Sequence, residues 1–277
     1  MKHEPDTEIE PLRSRDECVS FPLMRKLPLH RFNEFVALDA DEVELIEGLA
    51  VDRLHLRRHQ VIRAQGDPVR ELYLLSEGWV GSCIDVAAGT RQMVKVHLPG
   101  DMMGTPSLTL RNAAETLIAL TRSTVEIVPV SAFARLFMSE PRIAAATFMI
   151  AQKERVLLMD RLTSVARTSA AQRLAAFLLN LYERLSVVGL KEPTFELPLS
   201  QDELADVLGI TPVHANRTLF LLQDAGLIDR KGKCITLLSI PGLRSFGAVP
   251  LRRFERSREW ALHGVSEPPA RSGTMVG

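Results

Sequence analysis

This chain of 277 residues has no net charge, because 34 Lys and Arg balance 34 Asp and Glu. No global positive field draws it to nucleic acid, so any such binding must come from a local patch, which favours specific over nonspecific contact. Cysteine is scarce: Cys18, Cys83 and Cys234 are scattered without metal-ligand spacing and point to no disulfide framework. No apolar run approaches the roughly 20 residues that span a bilayer. The opening Met-Lys-His-Glu-Pro-Asp does not read as a signal peptide, so a cytoplasmic location is expected. There is also no nucleophile elbow, phosphate loop or metal-ligand cluster, which argues against an enzyme.

What is present is concentrated between Ser200 and Leu222. Ser200 followed by Glu203 forms a capping box that starts a short helix with Leu204, Val207 and Leu208 on one face. Ala205 is small enough to let a second helix cross closely. Gly209 supplies the left-handed backbone that ends the first helix. Thr211 caps the second, and Pro212 fits its first turn, where no amide is needed. Two short helices joined by a tight glycine turn make a helix-turn-helix, whose second helix enters the major groove.

On that second helix, Ala215, Leu219 and Leu222 recur at helical spacing and face the core. Val213, Asn216, Arg217 and Phe220 then lie outward. Arginine reads guanine by a forked contact, asparagine pairs with adenine, and valine packs on a thymine methyl. Ala225-Gly226 ends the helix, and two alternating runs flank a turn with basic neighbours, Asp229-Arg-Lys-Gly-Lys233, so a winged helix is expected with Lys231 and Lys233 suited to phosphate. The full set of candidate DNA contacts is Ser200, Gln201, Thr211, Val213, His214, Asn216, Arg217, Phe220, Lys231 and Lys233.

Upstream, Asp39 and Glu42 form another capping box. Between Leu54 and Val130 come short alternating runs with glycine turns, notably Val61–Asp67, Glu71–Gly81, Arg91–Leu98 and Thr124–Val130. They argue for an antiparallel barrel or sandwich. A long helix is expected from Pro141 to about Ala166, with Ile143, Ala146, Ile150 and Leu157 as one apolar stripe and Met149, Val156 and Met159 as a neighbouring one. Such a breadth needs two partners, so the first stripe is assigned to a seam with a second copy. Arg167-Thr-Ser169 breaks the helix, Ser169 and Gln172 cap the next one, and a hinge is expected there.

Arg173-Leu-Ala-Ala-Phe-Leu-Leu-Asn-Leu181, Leu197-Pro-Leu-Ser-Gln-Asp-Glu-Leu-Ala205 and Leu208-Gly-Ile-Thr-Pro-Val-His-Ala-Asn-Arg217 resemble the C-terminal half of Crp/Fnr-family transcription regulators. The upstream runs resemble that family's cyclic-nucleotide-type β-roll. The resemblance spans roughly Arg31 to Leu243. It implies an α+β fold with an antiparallel β-roll, a long dimerisation helix and a C-terminal winged helix-turn-helix. The corresponding divisions are a mobile tail (1–28), the sensor (29–140), the long helix and hinge (141–168), the DNA-binding domain (169–243) and a basic, flexible tail (244–277). The resemblance further implies a homodimer on a palindromic double-stranded operator, RNA polymerase as partner, no membrane, and a base contact from Arg217. Val213 stands where the family commonly has an acidic base-reading residue, so family operator sequences do not carry over.

The effector is less legible. The family's phosphate cassette falls at Gly100, Asp101, Met102, Met103, Gly104 and Thr105, with Thr105 in place of a ribose-binding glutamate. Ala113 and Ala114 stand near the expected arginine, Glu115 beside them would repel phosphate, and Arg111 is out of register. Cyclic AMP is therefore not expected. Haem remains open on His30, His55, His59 or His97, with Cys83 on a strand. An iron-sulfur cluster is not expected, because Cys18 alone cannot hold one. Methionines 102 and 103 with Leu108 and Leu110 are candidates for an apolar pocket. Against the regulator stands a second reading, a ligand-sensing module that acts through protein contacts. A docking helix would show an apolar outward stripe, whereas this one carries base-capable side chains.

Overall fold

The computed structural model describes residues 29–86, 89–252 and 254. The expected tail over 1–28 lies outside the described residues. Two short helices open the described chain, α1 (His30–Asn33) and α2 (Ala40–Glu47). The α2 cap forms as its residue types dictate. Glu42 N–H donates to Asp39 at 2.9 Å, and Asp39 N–H donates to Glu42 at 3.0 Å.

The sensor follows as β1 (Asp52–Leu56), β2 (Val61–Arg63), β3 (Glu71–Glu77), β4 (Val80–Val86), β5 (Thr90–His97), β6 (Met102–Met103), a tight turn Thr105–Thr109, β7 (Thr116–Ala119) and β8 (Ser123–Pro129). These strands form two four-stranded antiparallel sheets, ordered β1-β8-β3-β6 and β2-β7-β4-β5. Leu75, Val80, Met103, Leu117 and Val125 fill the space between them and are fully buried. The run from Glu71 to Gly81 holds all of β3 and the start of β4. Gly78 turns it with φ +83°, and a Cβ there would meet Arg122 O at 2.2 Å. No side chain fits that reversal.

Then come α3 (Val130–Ser139), the long helix α4 (Pro141–Arg167), α5 (Ala170–Val187), β9 (Thr194–Glu196), α6 (Gln201–Leu208), α7 (Pro212–Asp224), β10 (Ile228–Lys231), β11 (Cys234–Leu237) and α8 (Ile240–Phe246). The break between α4 and α5 is where the sequence puts it. Thr168 is extended, and Ser169 with Gln172 makes the new capping box. Arg173 braces the break by donating to Thr168 O at 2.8 Å and Leu208 O at 3.1 Å. Part of the expected C-terminal tail is structured: residues 244–246 finish α8, and Arg252 pairs with Asp160 of α4 at 3.0 Å.

The proposed stripe on α4 requires correction. Ile143 and Ala146 are fully buried within this chain, against Phe32, Phe35, Leu136 and their neighbours, and Ile150 packs on the same cluster. Helices α1 and α3 cover Ile143 and Ala146, so those two are unavailable to a second copy, whereas Ile150 and Leu157 are half-buried. The exposed apolar residues of α4 are instead Phe148, Leu158, Met159, Leu162 and Val165.

Candidate nucleic-acid interface

Helices α6 and α7 take the geometry their residues impose. Glu203 N–H donates to Ser200 Oγ at 3.1 Å, and Ser200 N–H returns to Glu203 at 2.6 Å. Gly209 sits at φ +66° and ends α6, and Thr211 accepts from His214 N–H at the start of α7. Ala205 is buried at the crossing. Ala215, Leu219 and Leu222 face inward and join one continuous core with Leu174, Leu178, Leu181 and Phe195. Truncating any of these leucines would cost about 2–5 kcal/mol, because a close-packed core collapses only partly around a void.

The outward face of α7 presents Val213, Arg217 and Phe220 exposed and Asn216 half-buried, with Ser200, Gln201, Thr211 and His214 exposed at the two helix starts. Leu221 is exposed as well, a neighbour of Phe220 that the periodicity did not single out. The wing pairs Ile228 with Leu237 and Lys231 with Cys234, and Gly232 takes the turn at φ +64°. Strand β9, not expected from the sequence, adds a third strand by pairing Phe195 with Ile235. Lys231 and Lys233 are exposed on the wing. All ten candidate contacts therefore lie on two helix starts, one helix face and one hairpin.

Charged groups missed by the sequence reading tie this domain to the sensor. Arg58 donates to Pro198 O at 3.0 Å and pairs with Glu203 at 2.5 Å, so Glu203 serves both the α6 cap and the joint. Arg91 pairs with Asp206 at 2.9 Å. Arg161 of α4 donates to Met93 O of β5 at 2.8 Å and to Val207 O of α6 at 2.6 Å. Asp101, expected in the effector pocket, is committed to the joint instead. It accepts from Arg31 Nε at 2.7 Å, from Leu98 N–H at 3.1 Å, and pairs with Arg184 of α5. Burial pushes the Asp101 carboxyl up, but Arg184 and Arg31 together outweigh it and hold it well below the usual carboxylate range. Arginines 31 and 184 sit 70 and 83 positions from Asp101, so no local pattern announces the cluster.

The other pocket candidates disperse. Met103 is buried in the sheet core, Met102 and Thr105 are half-buried, and Arg111 is exposed on its loop. Gly100 and Gly104 take left-handed turns, with φ +89° and +85°. The arginine that does reach the cassette is Arg63 of β2, paired with Glu115 at 3.0 Å. With that cation already neutralised and no carboxylate at Thr105, these residues do not fit a cyclic nucleotide.

The candidate haem ligands do not converge either. His55 contacts Thr124 at 3.2 Å, His59 contacts Glu203 at 3.2 Å, and His97 contacts Ser82 at 2.7 Å. Burial lowers His30 and His97 to about 4. Burial also pushes the Cys83 thiol up to about 11. Among the described residues no three His, Cys, Asp or Glu side chains are grouped to hold a metal. Cys18 lies outside the described residues.

Two parts of the chain match known protein families. Residues 172–246 match the Crp-like helix-turn-helix domain, and residues 53–140 match the cyclic nucleotide-binding domain. The chain belongs to the Crp/Fnr family of transcription regulators. It is 26% identical over 209 residues to the transcriptional regulatory protein btr of Bordetella pertussis, covering 76% of this chain and 86% of that one. The fumarate and nitrate reduction regulatory protein of Vibrio cholerae is 26% identical over 212 residues, covering 76% and 85%. Among solved structures, FixK2 from Bradyrhizobium japonicum superposes with a TM-score of 0.65 at 24% identity, covering 72% of this chain and 98% of that chain. This Crp/Fnr protein is thus a DNA-binding regulator rather than an enzyme. Among the described residues no helix is long and apolar enough to cross a membrane.

Proposed function

We propose that this regulator acts in the cytoplasm as a homodimer that grips a palindromic operator, with α7 of each copy in successive major grooves. The observation that carries this is the exposed face of α7, where Val213, Asn216, Arg217 and Phe220 stand beside the wing lysines. Arg217 would read a guanine, while Ser200, Gln201 and Lys233 would contact phosphates. Phe220 and Leu221 form too small an apolar patch to favour the protein-docking reading. RNA polymerase would be the protein partner on DNA.

The dimer would form along the exposed face of α4. Phe148, Ala151, Arg155, Leu158, Leu162 and Val165 follow one another at alternating spacings of three and four residues. That is the repeat of a two-stranded coiled coil. The sensor would act on α7 through the Arg161, Asp101–Arg184 and Arg58–Glu203 ties, since each joins the β-roll or α4 to the DNA-binding domain. Half-sites about 34–36 Å apart are then required. Selection from a random DNA pool tests the reading. An enriched inverted repeat with that spacing supports it, and enrichment of no repeat under varied effector conditions defeats it.

A further inference from the structure

We propose that Glu115 is a built-in ligand of the β-roll, an internal carboxylate that occupies the anion site its own sensor domain constructs. Arg63 lies on β2 and Glu115 just before β7, and both side chains are more than nine-tenths buried. Their Nη2–Oε1 distance is 3.0 Å. Ser107, fully buried in the tight turn after β6, donates to the second carboxylate oxygen at 3.2 Å. Its own oxygen is held by Ala114 N–H at 3.1 Å. Glu115 is thus held by a cation on one oxygen and a fixed hydroxyl on the other.

The surroundings are shaped for this pair. A Cβ on Gly104 would stand 3.0 Å from Arg63 Nη1 and 3.2 Å from Nη2, so the guanidinium lies against bare backbone. Gly104 has φ +85°, a backbone state in which a side chain would be strained on a second ground. Tyr73 lies 5.9 Å from the guanidinium carbon, and Glu71 O accepts from Nη1 at 3.3 Å. Arg63 Nε has no hydrogen-bond partner among the described residues. A buried donor left unused beside a satisfied pair is what remains when a compact carboxylate occupies a site with donors to spare. The cation that could serve an incoming anion is therefore spent on Glu115. Such an anion would have to displace a tethered carboxylate whose effective concentration far exceeds that of a free ligand.

Removing the tethered carboxylate should leave a site for a small free one. Full-length protein is melted while sodium formate replaces sodium chloride at constant ionic strength. Wild type should not respond. Glu115→Ala should melt lower and recover by several degrees, saturably, as formate fills the vacated position. The double variant Arg63→Met with Glu115→Ala lacks the cation and should show no recovery. If Glu115→Ala does not fold, Glu115→Ser also vacates the carboxylate position with a small side chain, and its melting should rise saturably with formate. A melting temperature indifferent to formate in both single variants overturns the proposal. So does saturable binding of cyclic AMP to wild type by calorimetry, because the site would then be open. Neither readout involves DNA, so the proposal stands or falls apart from the operator reading.

Discussion

Lowering the pH should weaken this protein well before its carboxylates protonate, and His97 is the reason. The imidazole ends β5 fully enclosed, with Nε2 at 2.7 Å from Ser82 Oγ and Nδ1 at 3.7 Å from Asp101, beyond hydrogen-bond reach. Burial lowers its pKa from 6.5 to about 4. Because the folded value lies below the unfolded one, the unfolded chain binds more protons between those limits. Stability is therefore unaffected above pH 6.5, falls as pH drops through the window, and reaches its full loss below about 4. That full loss is roughly 3 kcal/mol, of which about 2 kcal/mol should be gone by pH 5. His30, also lowered to about 4 by burial, pushes the same way. Asp101, depressed by its arginines, adds a loss in the same direction only at lower pH. Scanning calorimetry from pH 7.5 to 5 should show a melting temperature falling by several degrees, and His97→Gln should flatten that slope. If variant and wild type share one slope, His97 is not the group responsible.

Arg217→Ala should cost about 1–3 kcal/mol of operator affinity and relax discrimination at one base pair per half-site, read by titrating the selected operator and its single substitutions; a uniform loss over all sequences would make Arg217 a phosphate contact instead. Leu162→Asp places a charge at an exposed seam position, so sedimentation should show monomers with unchanged secondary structure; an intact dimer would mean the seam runs elsewhere. Asp101→Ala takes the carboxylate partner from buried Arg184 and one of two described partners from buried Arg31, which keeps Glu34, and should destabilise folding by about 3–5 kcal/mol in urea. A loss under about 1 kcal/mol would mean the two arginines find other partners.

Local chemistry was legible wherever a single residue imposes a backbone state or a short-range bond. The capping boxes at Asp39, Ser169 and Ser200 and the left-handed end at Gly209 all stand where the residue types place them. The two faces of α7 were equally readable, since a 3.6-residue period separates Ala215 and Leu219 from Val213 and Arg217 without reference to anything outside the helix. The stripe on α4 was not. That helix is apolar on more than one side, and periodicity cannot say which side meets its own chain. Packing of α1 and α3 on Ile143 and Ala146 decides it and leaves Leu158, Leu162 and Val165 outside.

By itself the sequence determined the order of β-roll, long helix and winged helix-turn-helix, together with the side chains α7 leaves exposed, because those depend on patterns within some twenty neighbouring residues. Only the tertiary structure decided how Arg31 and Arg184 meet on Asp101, how Arg58 reaches Glu203, and that Glu115 closes on Arg63. Arg63 and Glu115 are 52 positions apart, and Arg58 and Glu203 are 145. A lone arginine or glutamate in a polar stretch reads as solvated surface until the fold removes the water and brings in the one opposite charge that makes its burial tolerable.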